Sequence, residues 1–280
     1  MTLFFVIASI LLGCIVASFL NVIALRYNTG RGIGGRSMCF SCGHALGPRD
    51  LVPLISFIIQ RGRCRYCGSR ISVDNIYAEI TGGLVFGLIS ARGLFLGISD
   101  LFHFEYLVST LFLMVVFSVL LVIFFYDMKH KIIPDRFSFI FSILALVGGL
   151  WFDFGSNGFY TYAGFSGIDF WRILAGIVVP LPFLLIWLVS QGRWIGLGDP
   201  KLMIGIGLLL GVARGFSAVV MGFWIGAIVA GGIALVGVLT RRQLLGRGKP
   251  SIMKAEIPFA PFLIVGTLVA VVTSVNFFPW

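Results

Sequence analysis

Eight runs of apolar residues, each close to the length that crosses a lipid bilayer, decide what this chain can become. A membrane span needs about 20 predominantly apolar residues, with some latitude for tilt and short helices. The sequence predicts helices near residues 3–25, 77–97, 106–126, 136–152, 171–190, 201–214, 216–239 and 258–277. The sixth is short, and only Arg214 and Gly215 mark its junction with the seventh. With 59% hydrophobic and 11% charged residues over 280 positions, the chain lies far from soluble domains, which run at about 45–50% apolar and about 25% charged. The expected fold class is therefore all-α, a polytopic transmembrane helix bundle of about eight spans. The first run has no basic segment before it and no small-residue cleavage site, so Met1 to Leu25 reads as a retained span rather than a signal peptide.

The net charge of +10 follows the same logic. If the connection after the first span is cytoplasmic, alternate connections hold 8, 3, 2 and 5 basic residues, 18 of the 21 in the chain. Only Arg92, Arg172 and Arg214 lie opposite. The positive-inside rule then sets both termini outside and turns Asp127 and Asp199 to the cytoplasm. A bilayer accounts for the basic residues, so membrane lipid is an expected partner and nucleic acid is not.

The connection from residue 26 to 76 is too long and too patterned for a plain linker. It holds Cys39-Phe-Ser-Cys42 and Cys64-Arg-Tyr-Cys67, each followed by Gly, with 21 residues between the pairs. Two such knuckles read as a tetrahedral site in which Cys39, Cys42, Cys64 and Cys67 bind a structural zinc. Disulfides are the alternative, and a reducing cytoplasm disfavours them. His44 could replace a thiolate but also suits a solvated loop; Cys14 falls inside the first apolar run and reads as a small buried hydrophobe. The predicted organisation is a first span over 1–25, a small zinc-ribbon-like cytoplasmic domain over 26–76, and a helix bundle over 77–280.

Acids next to hydrocarbon are costly, about 2.5–3.5 kcal/mol or more at a span's centre, and so are candidates for function. Glu79 stands in the first turn of the second run, where a helix N-terminus would also favour it. Asp199, in Gly196-Leu-Gly198-Asp199-Pro200-Lys201, begins the sixth and reads equally as an N-cap before a helix-starting proline. Asp127 closes the third, and Pro134 should end that helix soon after it. Two carboxylates at one membrane face, each beside a helix break, can approach and share a proton, which is what aspartyl proteolysis needs. Gly196 and Gly198 would let backbone and substrate come near Asp199. Asp135 occupies an ordinary capping position, and Lys201 suits either an acid's counter-charge or a headgroup anchor. Gly93-Leu-Phe-Leu-Gly97, Gly207-Leu-Leu-Leu-Gly211 and Gly222-Phe-Trp-Ile-Gly226 have the small-residue spacing of helix packing.

A colinear set of motifs resembles the type 4 prepilin peptidases, membrane aspartyl proteases of the G-x-G-D class. In order these are Ser18-Phe-Leu-Asn21-Val, the two cysteine pairs with Pro53-Leu-Ile-Ser56 and Arg61-Gly-Arg-Cys64, Glu79, Asp127 to Asp135, Gly196 to Lys201, and Pro258-Phe-Ala-Pro261-Phe. The resemblance implies cleavage of short basic leaders from type IV prepilin or type II secretion pseudopilin precursors at the cytoplasmic (inner) membrane, with Asp127 and Asp199 as catalytic pair. It also implies N-methylation of the new N-terminus with S-adenosylmethionine, a step to which the position of Glu79 is linked as a cofactor-binding residue. Ala17, Pro200 and Ala260 depart from residues usual in the family, and none removes a reacting group. A presenilin-like or signal-peptide-peptidase-like protease shares Tyr126-Asp127 and Gly-Leu-Gly-Asp199, but it would carry Pro-Ala-Leu near the C-terminus and no cysteine loop. An ion-coupled transporter with buried acids is the rival of another class.

Overall fold

A computed structural model describes residues 2–29, 35, 37–39, 41–95, 104–154, 160–162, 170–241, 258–273 and 275–278. The chain divides into two compact units, Met1–Phe125 and Tyr126–Trp280. Both are helical, and among the described residues four helical stretches are long and apolar enough to cross a membrane: Leu3–Arg26, Tyr106–His130, Phe170–Ser190 and Gly198–Val236. Several apolar side chains of the first, including Leu3, Phe4 and Leu11, are exposed, as a lipid-facing surface requires. The basic stretch within 242–257, with Arg31 and Arg36, lies outside the described residues.

In the first unit, α1 (Thr2–Arg26) packs along α3 (Asp74–Phe95). Small residues let the two backbones touch: a Cβ on Gly13 would run into the Gly82 carbonyl, and one on Gly82 into the methyl of Ala17. Cys14 is buried in this seam beside Gly83, as expected of a small hydrophobe. The cysteine loop between α1 and α3 contains a 3₁₀ turn (Pro48–Asp50) and the short α2 (Ile55–Ile59). The first part of α4 (Phe104–His130) closes the unit around Arg92, which is 1% exposed. Its guanidinium donates to the Ser109 hydroxyl and lies over the Tyr106 ring, 4.9 Å from the centroid. A cation in apolar surroundings is tolerated when ring and hydroxyl replace water in this way.

In the second unit α5 (Asp135–Trp151), α6 (Phe170–Val178) and α9 (Ala260–Thr273) all pack on α8 (Gly198–Arg241). Glycine again sets the distance: a Cβ on Gly207 would collide with the Ala175 carbonyl of α6, and one on Gly266 with the Ala218 carbonyl of α8. The single run expected over 171–190 is two helices, α6 and α7 (Leu181–Ser190), because Pro180 cannot continue the hydrogen-bond ladder. The sixth and seventh runs form one helix with a backbone break, and the break is at Gly211 (φ 78, ψ −178) rather than at Arg214. That conformation is open to glycine almost alone, so Gly211 bends α8 instead of serving as the second small residue of a packing pair. Two short strands that the apolar pattern did not predict, β1 (Phe152–Phe154) and β2 (Tyr160–Tyr162), pair antiparallel with Phe152 opposite Tyr162.

Candidate active site and metal centre

Asp127 sits in the last turn of α4. The helix stops at His130, where Lys131 takes φ +55 and donates its N–H to the Asp127 carbonyl at 2.8 Å; Pro134 follows, and α5 starts at Asp135. Asp127 is 3% exposed. The N–H of Ala260, first residue of α9, hydrogen-bonds to its carboxyl, while Oδ2 is buried without a partner among the described residues. An unsatisfied buried oxygen is costly, roughly 1–3 kcal/mol and more when charged, and marks where water or a substrate group would bind.

Asp199 is the second residue of α8 and half-buried. Both carboxylates line one cavity of about 860 Å³. Lys131, Arg193, Asp135 and Lys201 also line it, as do Phe183, Phe223 and Phe259. The three rings form a continuous aromatic wall, with Phe183 stacked on Phe223 at 5.4 Å and Phe223 against Phe259 at 4.6 Å. Two acids in a cavity with an apolar wall can hold an extended chain, the wall taking its apolar side chains and the acids flanking its backbone.

The glycines of Gly-x-Gly-Asp have separate jobs. A Cβ on Gly198 would press on Ile133 at 2.9 Å, so this glycine admits the chain that follows α4. Among the described residues a Cβ on Gly196 would meet only Asp199 Oδ2, at 4.0 Å, so this glycine leaves the space beside that carboxylate open. Lys201 pairs with Asp135 at 2.7 Å, an exposed ion pair at the cavity.

In the first unit the four cysteines converge. Cys39, Cys42, Cys64 and Cys67 place all four Sγ atoms within 4.8 Å of one another, with Cys39 and Cys67 at 3.8 Å. Four thiolates around zinc at about 2.3 Å stand about 3.8 Å apart, whereas a disulfide needs about 2.05 Å, so the donor set fits the metal. Each knuckle is a tight turn: the Gly43 N–H bonds to the Cys39 carbonyl and that of Gly68 to the Cys64 carbonyl, both at 2.9 Å. Both glycines have φ +69, which explains why Gly follows each pair. Without a metal the clustered thiols share their protons unevenly: the Cys42 backbone N–H, then the Ser69 hydroxyl, hold the Cys39 thiol down, while burial and the neighbouring Cys67 and Cys39 push the Cys42 thiol up. His44 lies against Tyr66 across the knuckles, ring centroids 3.7 Å apart and the planes tilted by 32°.

A sequence profile of the type IV leader peptidase family matches residues 114–235, and that of the bacterial peptidase A24 N-terminal domain matches residues 11–92. The chain belongs to the type 4 prepilin peptidase family. It is similar to prepilin leader peptidase/N-methyltransferases of Bacillus subtilis (29% identical, covering 92% of this chain and 86% of that protein), Pseudomonas aeruginosa (24%, covering 95% and 89%) and Myxococcus xanthus (31%, covering 74% and 56%). No solved structure matches. Against this family, the structure makes physical sense of the three departures. Ala17 is accommodated because Gly82 faces it; Pro200 lies in the first turn of α8, where its missing N–H is not needed; Ala260 offers Asp127 a backbone N–H, for which its side chain is immaterial.

Residues that sequence reasoning missed cluster around the four-cysteine loop. Asp50 accepts from Gln60 Nε2 at 2.9 Å, the Gly47 N–H at 3.1 Å and the Tyr66 hydroxyl at 3.3 Å, and pairs with Arg65 at 3.4 Å. The available signal was that Asp50 is the only acid between Arg26 and Arg70. Ser69, 3.1 Å from Cys67 Sγ and 3.6 Å from Cys39 Sγ, carried no such signal.

Proposed function

We propose that the protein cleaves the basic leader from type IV prepilins or type II secretion pseudopilins and N-methylates the residue thus exposed. The reading is supported above all by the sharing of one cavity by Asp127 and Asp199, an arrangement that a lone capping aspartate would not need. The ionised member of the pair takes a proton from water, whose oxygen attacks the scissile carbonyl carbon. The protonated member gives its proton to the carbonyl oxygen. The tetrahedral intermediate then collapses: one of its hydroxyls returns a proton to the ionised carboxylate, the C–N bond breaks, and the leaving nitrogen takes the proton held by the other acid, which leaves the dyad with one proton again. Gly196 leaves room for the peptide beside Asp199, and Lys201, held by Asp135, belongs to the supporting rim.

The proposed architecture is a first span (1–25), a four-cysteine cytoplasmic domain (26–76) and a protease bundle (77–280), with about eight spans, both termini outside and the dyad facing the cytoplasm at the inner membrane. Zinc, when bound by Cys39, Cys42, Cys64 and Cys67, supplies a structural cross-link. S-adenosylmethionine supplies the methyl group for the second activity, in which Glu79 takes part. Gly30-Arg31-Gly32-Ile33-Gly34-Gly35 has the spacing of a G-x-G-x-x-G loop, but it follows an apolar membrane run rather than the strand that a soluble-type cofactor loop needs. Lipid and the apolar segment of the precursor would meet the exposed faces of the helices.

Mass spectrometry of a pilin precursor incubated with the membrane protein and S-adenosylmethionine tests both activities at once. The expected product has lost its leader and gained one methyl group at the new N-terminus. Acid-dependent ion flux without any cleavage would instead support the carrier alternative.

A further inference from the structure

Glu79 is 8% exposed, and both oxygens of its carboxylate are engaged. The Ser18 hydroxyl of α1 donates to Oε1 at 2.9 Å, and the Leu54 backbone N–H donates to Oε2 at 2.8 Å. Toward the start of α3, Asn21 Nδ2 donates to Asn75 Oδ1 at 2.8 Å, a second polar rung between α1 and α3. One partner is out of the ordinary. Leu54 has φ +59 and ψ −48, and the Ile55 N–H reaches back to the Pro53 carbonyl at 2.6 Å, so Leu54 is the centre of a γ-turn of the rare, strained hand. A non-glycine residue stays in such a conformation only where its surroundings over-determine it. Here the turn aims the Leu54 N–H at a buried carboxylate. The turn also lies midway in the segment joining the two cysteine knuckles, between Asp50 and α2.

We propose that Glu79 is a clasp that fixes the four-cysteine loop to the α1–α3 pair at Leu54, and that methyl transfer depends on Glu79 through this clasp. It is a positioning residue. A carboxylate buried and doubly engaged in this way is poorly placed to receive a methyl donor directly, and Ser18 and the γ-turn at Leu54 become part of the same device. The Asn21–Asn75 pair would steady the helices below it. The inference rests on the reading that this family's methyl transfer is carried by the loop-bearing unit.

The substitutions separate charge from hydrogen bonding. Glu79→Gln keeps one acceptor for the Leu54 N–H and can donate to the Ser18 oxygen, so it weakens the clasp without opening it. Glu79→Ala opens it, and Ser18→Ala removes one bond with little risk to folding. The full-length zinc-loaded protein in detergent is challenged with a chelator and, separately, with trypsin, which cuts the loop at residues such as Arg61 and Arg63. Leader cleavage and methyl transfer are measured on the same samples. Zinc release should quicken by about threefold for Ser18→Ala and Glu79→Gln and by about tenfold or more for Glu79→Ala, with loop proteolysis in the same order. The turnover number for methyl transfer should fall in that order too, with the donor KM within about twofold of wild type and leader cleavage intact.

Two results would overturn the clasp. One is a raised donor KM in Glu79→Ala with zinc release and loop proteolysis unchanged, which makes Glu79 a direct ligand. The other is Glu79→Gln as inactive in methyl transfer as Glu79→Ala while both loop readouts stay at wild type. If the wild-type protein transfers no methyl group, zinc release and proteolysis still judge the clasp, and only the enzymatic reading fails.

Discussion

Replacing Asp50 with Ala should weaken zinc binding by about a hundredfold, although Asp50 is not a ligand. Its side chain is 3% exposed, and two of its contacts are short hydrogen bonds to a carboxylate: Gln60 at 2.9 Å and the Gly47 N–H at 3.1 Å. Bonds to a buried charged group contribute about 1.5–3 kcal/mol each, so their joint loss costs about 3 kcal/mol at the low end. The Tyr66 bond at 3.3 Å adds less. Arg65 is half-exposed, and its ion pair at 3.4 Å belongs to a class worth about 0–1 kcal/mol. In a small metal domain, loss of folding free energy appears as loss of metal affinity, and each 1.4 kcal/mol is a factor of about ten. Asp50→Asn keeps one good acceptor and should lose about tenfold. The assay is competitive titration of the purified protein with a zinc indicator of known affinity. Wild-type affinity in Asp50→Ala would refute the idea that Asp50 ties the two knuckles together.

Metal analysis of protein purified without chelator should find one zinc per chain, abolished by Cys→Ser at any two of Cys39, Cys42, Cys64 and Cys67; metal-free protein with these cysteines in disulfides would refute the assignment. Cysteines introduced near Lys129 and Arg193 should react with impermeant reagents only from the cytoplasmic side, and reaction only from outside would invert the proposed orientation. Gly207→Val should destabilise the second unit by roughly 1–3 kcal/mol, read as a lower detergent melting temperature, because any Cβ there meets the Ala175 carbonyl of α6. An unchanged melting temperature would show that α6 and α8 can separate freely.

What was legible in the sequence had a local physical cause. Length and apolarity marked α1, α4 and most of α8, while turn chemistry marked the knuckles, where Gly43 and Gly68 share one positive φ. Pro134 correctly placed the end of α4 just beyond Asp127. Features set by tertiary contact were not legible. The kink at Gly211 looks in the sequence like the second half of a packing motif, since Gly serves both purposes with the same letter. The strands at Phe152–Phe154 and Tyr160–Tyr162 are too short to leave a pattern. Asp135 reads as a cap, and its partner Lys201 lies far away in sequence. Leu54 gave no hint of its strained turn, because leucine is the last residue a turn rule would select.

The central claim is that Asp127 and Asp199 act as one proton-sharing pair, and the direct measurement is precursor turnover by Asp127→Asn, Asp199→Asn, the double variant and Asp135→Asn at matched expression. Each dyad variant should lose at least about a hundredfold in cleavage, and the double variant should be scarcely worse than either single one, because one pair is removed in every case. Asp135→Asn should keep most activity, since it loses only an exposed ion pair to Lys201. An essential Asp135, together with a dispensable Asp127 or Asp199, would contradict the account.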